Sequence, residues 1–328
     1  MPSPMRQTDV TATTPQARTA ASQRWDSLDV ARGLAIGAMI VYHFSWDLSF
    51  LQLIGTNILQ VPAWRWFARG IAGSFLMLAG FGLALAHIQG FRRIPFLKRL
   101  LRIGGAALAV TLGTYFAFPE SYIFFGILHC IAVSSVLALP FLRLHPALTL
   151  AAAAFFLIGP WLFTSPALDA PWLDWLGLGA REPVTNDYVP IFPWFGLVLI
   201  GTAGGKLMLA RRESLGLARW RADNPVFRLL TWAGRKSLPI YLTHQIVLLG
   251  ILFGVAQIVG PSPAAACRQI CLMQNGDPGL CPSVCSCILQ QVPERGLWQR
   301  LLANKAEAED NTRVSRAAQQ CMRQTPPS

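Results

Sequence analysis

Seven apolar stretches interrupt this chain of 328 residues, at 30–53, 67–88, 100–118, 123–142, 147–163, 191–210 and 238–259. A helix rises about 1.5 Å per residue, so each stretch can cross, or nearly cross, a hydrocarbon layer of ~30 Å. Water is absent from that layer and every backbone N–H and C=O needs a partner within the chain, which makes isolated apolar runs helical. The expectation is an all-α, polytopic membrane helix bundle of about seven transmembrane helices. Composition agrees, with 53% of residues hydrophobic and 13% charged against ~25% charged in soluble domains. A formal charge of +12 would suit nucleic acid if Lys and Arg gathered on one soluble face. They fall instead in short clusters between apolar runs, which argues against nucleic acid as a partner.

Those clusters set the orientation. With the N-terminus inside, the inner segments hold 18 Lys and Arg and the outer connections three, Arg65, Arg69 and Arg181. The positive-inside rule then predicts N-in and C-out. Trp46, Trp64, Trp66, Trp161, Trp172, Trp175 and Trp194 fall near the outer ends of the spans, as an interfacial aromatic belt does. Residues 1–24 are polar and lack an apolar core, so they read as a disordered cytoplasmic tail rather than a signal peptide. The membrane domain occupies 25–260.

An odd number of spans sends residues 261–328 outside as a small Cys-rich extracytoplasmic tail. It holds Cys267, Cys271, Cys281, Cys285, Cys287 and Cys321, six of the seven cysteines. Disulfides persist in a periplasm and not in cytosol, so cysteine usage agrees with the charge count. Zinc is the competing reading, but the tail has no histidine and lacks paired C-x2-C spacing. No metal is expected. Antiparallel nesting around the turn at 275–279 would pair Cys267 with Cys285 and Cys271 with Cys281, leaving Cys287 for Cys321. It is one of fifteen pairings that six cysteines allow.

The first span carries the chemistry. At 3.6 residues per turn, Arg32, Ile36, Ile40, His43 and Asp47 form one stripe, with Arg32 and His43 ~16 Å apart along the axis. Ionisable groups in hydrocarbon are expensive and mark sites by default. The adjacent face carries Gly33 and Gly37, a spacing that admits a second helix at close range. His129 and His244 also lie inside spans and could approach the level of His43. The plainer alternative for each is a polar side chain bonded across helices. Asp47, one turn beyond His43, has the spacing of a carboxylate that orients an imidazole. Outside, Asp187 and Tyr188 offer substrate contacts or belong to a wet loop. Arg65 and Arg69 could bind an anion or pack on nearby tryptophans. Inside, Arg32, Arg99, Arg102, Arg235 and Lys236 anchor the topology and would suit a polyphosphate. No phosphate-binding glycine loop, nucleophile elbow or H-E-x-x-H motif is present.

R-W-D-S-L-D-V-A-R-G-L-A-I at 24–36, F-L-M-L-A-G-F at 75–81, F-G-I-L-H at 125–129 and G-R-K-S-L-P-I-Y-L-T-H-Q at 234–245 together resemble the heparan-α-glucosaminide N-acetyltransferase catalytic-domain family of membrane acyltransferases. The resemblance covers about 24–260 and leaves the tail outside. It implies transfer of an acetyl or other acyl group from cytoplasmic acyl-CoA to a sugar across the membrane, with a histidine central to the chemistry. Asp29, Arg32 and Gly33 match the opening motif and His244 the closing one. In lysosomal members the favoured histidine lies in the segment after the first span. Residues 44–86 contain none, so His43 is the nearest counterpart.

The reading is an inner-membrane acyltransferase, with acetyl-CoA as donor and a sugar or envelope glycan as acceptor. Arg32 and the inner basic residues would hold CoA phosphates, and His43 would act on the acyl or acceptor group. Its partners are acyl-CoA, the glycan and the lipid bilayer, and a homodimer is allowed. The rivals are a proton-coupled carrier and a non-catalytic scaffold displaying the tail. Against the carrier, no inverted repeat or paired broken helices are visible.

Overall fold

The computed structural model describes residues 25–87, 90–210, 216, 220–273 and 279–324. The expectations for residues 1–24, for Arg211 and Arg212 and for the turn at 275–278 fall outside these. The described chain is helical, with no named β-strand among its residues. The order is α1 (Asp26–Phe50), α2 (Pro62–His87), α3 (Arg93–Ala117), α4 (Ile127–Leu137), α5 (Pro146–Phe163), α6 (Ile191–Ala210), α7 (Pro225–Arg235) and α8 (Ser237–Val259). The tail adds α9 (Pro263–Met273), α10 (Cys281–Gln291), α11 (Arg295–Leu302) and α12 (Ala308–Gln324).

Five helices among the described residues, α2, α3, α5, α6 and α8, are long and apolar enough to cross a membrane. Their outer faces carry bare apolar side chains, with Phe116, Trp161 and Ile258 exposed at 82, 83 and 87%. Water would penalise that surface; lipid does not. The other two expected spans differ in kind. α1 is 25 residues long but acidic in its first turn and interrupted by Arg32, His43 and Asp47. The expected span at 123–142 is not one continuous helix. Gly126 stands at the start of α4, which has 11 residues, and Pro140 opens a separate single turn. Proline has no N–H to continue the ladder, and its ring disfavours helical geometry in the residue before it. Lys206 of α6 braces this interruption by donating to the carbonyls of Phe141 and Leu144 and to Thr149 Oγ1, at 2.8, 2.6 and 3.0 Å.

Close helix contact is made at glycines, as expected where small residues let backbones approach. Gly80 lies against the Val198 carbonyl, and Gly201 against that of Met77, which sinks α2 onto α6. The buried core above them contains Leu76, Leu83, Phe195, Val198 and Leu199. Gly33 of α1 lies against the backbone of Leu230, and Gly234 against the Asp29 carbonyl, which presses α1 onto α7. Gly37, the other half of the small-residue pair, faces open space. The partner of α1 at this point is α7, an amphipathic helix that the apolar runs did not reveal. Asn224 starts it by accepting from the Val226 N–H at 2.8 Å, an ordinary N-cap.

In the tail the three disulfides join Cys267 to Cys285, Cys271 to Cys281 and Cys287 to Cys321, as antiparallel nesting requires. They enclose a small core in which Trp298 is 1% exposed and donates its indole N–H to the Val292 carbonyl at 2.9 Å. Arg300 grips Asp310 with two bonds, at 2.9 and 2.8 Å. Helices of 8 to 17 residues are marginal alone, and cross-links that restrict the unfolded chain compensate.

Two outcomes follow. Gly33→Ala should lower the melting temperature in detergent, since an added methyl overpacks the α1–α7 contact at a cost of about 1–3 kcal/mol. Gly37→Ala, with free space around it, should be neutral or slightly stabilising through helix propensity. Equal melting of the two variants would contradict the packing. Separately, maleimide should leave all six tail cysteines unmodified until a reductant is added, with mass spectrometry as the readout.

Candidate active site

The first functional contact is a clasp at the start of the bundle. Asp29, 5% exposed, accepts from Arg32 Nη1 at 3.0 Å through one oxygen and from Arg235 Nε at 3.1 Å through the other. Arg235 extends to Asp26 with Nη2 at 2.9 Å. The opening and closing sequence motifs are thus physically joined at one carboxylate. The hydrogen bonds that Arg235 donates to Asp29 and Asp26, with the charge of both carboxylates, raise its already high pKa. Lys236, the next residue, is exposed.

Arg32 and Arg235 are therefore committed within the chain. Arg99, half-buried, has one long bond to the Ala79 carbonyl, at 3.5 Å, and no carboxylate partner among the described residues. It lies within electrostatic reach of Arg32 and Arg102. Arg32 is paired with Asp29, whereas Arg99 and Arg102 have no carboxylate partner among the described residues, and that positive charge fits a phosphate-bearing ligand.

Fourteen residues along α1 from Asp29, roughly 21 Å at helical rise, His43 meets His244. Their Nδ1 and Nε2 atoms lie 3.1 Å apart. The surrounding carbonyls assign the protons. His244 Nδ1 lies 2.6 Å from the Tyr241 carbonyl, and a carbonyl only accepts, so that nitrogen carries hydrogen and Nε2 of the neutral ring is the acceptor. His43 Nδ1–H is then shared between His244 Nε2 and the Met39 carbonyl at 3.1 Å. The free lone pair of the pair sits on His43 Nε2. His244 is 9% exposed and His43 intermediate, so the base is the more accessible ring and its support the buried one.

Asp47 does not orient His43. Helical side chains lean toward the N-terminus, so His43 reaches back to the carbonyl four residues before it and sideways to His244, not forward to Asp47. Asp47, 0% exposed, accepts instead from Gln245 Nε2 at 2.6 Å. Its Oδ2 and Gln245 Oε1 are buried without a partner among the described residues. Gln245 is the site residue that the sequence reading passed over. Its signal was available, as an amide beside the closing-motif histidine inside an apolar run.

His129 stands apart from this pair in its bonding. Nδ1 accepts from the Gly126 N–H at 3.2 Å, and Nε2 lies 3.1 Å from Thr111 Oγ1. Thr111 gives its own proton to the Ile123 carbonyl at 2.7 Å, so Nε2 of His129 is the donor there. Both nitrogens are used in starting α4. Asp187 joins them by accepting from the Ile127 N–H at 2.9 Å. Burial pushes its carboxyl up to about 6, against the pull of that hydrogen bond. Tyr188 donates to the Asp174 carbonyl at 2.7 Å, and burial with nearby Asp174 and Glu182 pushes its phenol up to about 12. Arg69 stacks over Trp66 at 5.1 Å, and Arg65 is exposed.

A helical bundle with five membrane-length apolar helices among the described residues and two imidazoles in contact between α1 and α8 has the character of a multi-pass membrane protein. The family description "Heparan-alpha-glucosaminide N-acetyltransferase, catalytic" matches residues 24–246, and the chain belongs to that family of membrane transferases. The match begins just before the Asp29 clasp and ends just after the His244–Gln245 pair. No curated protein and no solved structure matches the chain.

The clasp predicts a graded loss of stability. Asp29→Asn removes the carboxylate of Arg32 and leaves Arg235 only Asp26, and breaking a buried pair from one side costs about 3–5 kcal/mol. Arg235→Gln should cost less, because that side chain is 45% exposed and water replaces part of its interaction. Melting of the two variants in detergent is the check, and the reverse order would contradict the assignment.

Proposed function

We propose that this chain transfers an acetyl or other acyl group from cytoplasmic acyl-CoA to a hydroxyl or amino group of an extracytoplasmic sugar or envelope glycan. The observation that carries the reading is the hydrogen-bond direction in the histidine pair, which leaves His43 Nε2 as an unprotonated base. His43 takes the proton of the acceptor O–H or N–H as that atom attacks the thioester carbonyl. The C–S bond breaks, and the departing CoA thiolate receives the proton from His43. Meanwhile the Nδ1–H bond to His244 spreads the positive charge, with the Tyr241 carbonyl holding the second ring in register. His43 and His244 are the catalytic pair in this reading, and Asp47 and Gln245 supply acceptors beside it. Arg99, Arg102 and Arg32 face the phosphates.

The same reading places seven spans in the inner membrane, N-in, with the tail in the periplasm. The order of contacts supports it. His43 meets His244 and Asp47 meets Gln245, so α1 and α8 run in the same direction, whereas α7, with Leu230 at Gly33 and Gly234 at Asp29, runs against α1. Two parallel helices at the ends of the domain accord with an odd number of crossings, and with α1 and α4 counted as spans despite their charge and length.

Purified protein in detergent should release CoA thiol from acetyl-CoA when an acceptor sugar is supplied, which a carrier or scaffold would not do. His43→Ala should abolish release while leaving CoA binding intact. His244→Ala should lower the rate by about 10²–10⁴-fold, the range for a positioned proton-transfer group. Near-parental activity in His43→Ala would overturn the role of that residue, and an acyl group trapped on His43 would replace direct attack with a two-step route.

A further inference from the structure

The tail does more than hang from the last span. Between the outer end of α1, the connection that follows it and α9 lies a groove of about 540 Å³, within the usual range for a small-molecule site. Its floor is Trp46 and Phe50, one helical turn apart, their rings 4.8 Å apart and within 9° of parallel. The connection adds Gln52 and Asn57, and α9 adds Arg268 and Gln269. Among the described residues no acid lines it, and Arg268 has no carboxylate partner.

The wall formed by α9 is fixed in place. The Ser262 N–H donates to the Gln52 carbonyl at 2.8 Å, and Gly55 lies so close to Ala264 that no side chain would fit there. Gln299 of α11 donates to the Val259 carbonyl at 2.6 Å, closing the tail back onto α8. Cys267 and Cys271, on either side of Arg268, are both bridged to α10. The stapled tail therefore holds the Arg268 guanidinium, without an ion-pair partner among the described residues, in the wall of the groove that Trp46 and Phe50 also line.

We propose that this groove binds an anionic glycan, with one outer face of the Trp46–Phe50 stack for a sugar ring, the amides for its hydroxyls and Arg268 for its phosphate or carboxylate. Flat aromatic faces accept the C–H faces of a ring, side-chain amides match hydroxyl donors and acceptors, and a guanidinium takes an oxyanion through two N–H groups. Trp46 and Phe50 lie three and seven residues beyond His43, roughly 5 and 10 Å along the helix. A saccharide on the platform can direct its next ring toward His43; that direction rests on the acyl-transfer reading, whereas the anion preference does not. The family match ends at residue 246, so the wall carrying Arg268 lies outside the matched domain.

Calorimetric titration of the purified protein in detergent, without acyl-CoA, separates this proposal from the reaction. Maltose 1-phosphate, digalacturonate and neutral maltose serve as probes, and the two acidic sugars distinguish phosphate from carboxylate. At least one acidic disaccharide should bind about tenfold more tightly than maltose, the size of one charge-assisted contact. Arg268→Gln should remove that preference, Arg316→Gln on exposed α12 should keep it, and Trp46→Ala should weaken all binding sugars. Equal binding of the three sugars, no binding of any, or a preference that survives Arg268→Gln would overturn the proposal. Arg268-dependent binding in a protein that releases no CoA would leave the groove assigned and reject the acyl-transfer reading.

Discussion

The domain turns on one carboxylate. Asp29 is nearly buried, and both its oxygens are engaged by guanidinium groups, one from its own helix and one from the end of α7. A buried ion is costly to desolvate, so the arrangement is tolerable only while both partners are present. That requirement makes it a register pin: α1 cannot slide or rotate against α7 without stranding a charge. Gly33 and Gly234 let the backbones approach closely enough for the pin to close. α8 follows α7 almost without interruption, so the register reaches His244 and Gln245 some three turns farther on.

At that level the outcome depends on hydrogen-bond direction more than on charge. Two imidazoles in contact can share one proton comfortably, and the fixed carbonyls of Tyr241 and Met39 settle which nitrogens hold hydrogen. The pair is consequently polar in a defined sense, donor side toward the α8 backbone and lone pair toward the more open ring. The neighbouring Asp47–Gln245 pair has the opposite character, with acceptor atoms left over in a buried setting. A base with acceptors beside it is suited to a substrate that brings hydrogen-bond donors. It contrasts with Arg99 and Arg102 near Arg32, which have no carboxylate partner among the described residues and are suited to oxyanions.

The tail solves a different problem. Its helices are short, and its small core gathers Trp298, Leu297 and Ile288 around the cystines. Covalent cross-links make such a unit rigid enough to hold α9 against the outer end of α1. The two halves of the molecule thus use different means to the same end, glycine contacts and an ion clasp in the bundle and disulfides outside it.

Much of this was legible in the sequence because its physics is local. Apolar length dictates membrane helices, and the helical period brings Arg32, His43 and Asp47 to one stripe; cysteine spacing around a turn favours nested pairing. The sequence also carried the opening and closing motifs as separate strings. What only the tertiary structure decided is which side chains meet across helices. Asp47 lay at the right spacing for His43, yet side-chain lean along α1 turned the ring to His244 and left Asp47 to Gln245. His129 had the same claim to an intramembrane site as His43, but the ends of α3 and α4 engaged both its nitrogens. α7 escaped notice because a short amphipathic helix reads as a basic connection; only Thr231 and Gly234 of it are buried, and its close contact with α1 runs through glycine and backbone. Spacing along one helix limits which residues share a face; the rotation and register of the next helix select their partners, and here a buried carboxylate and two glycines far along the chain set that register.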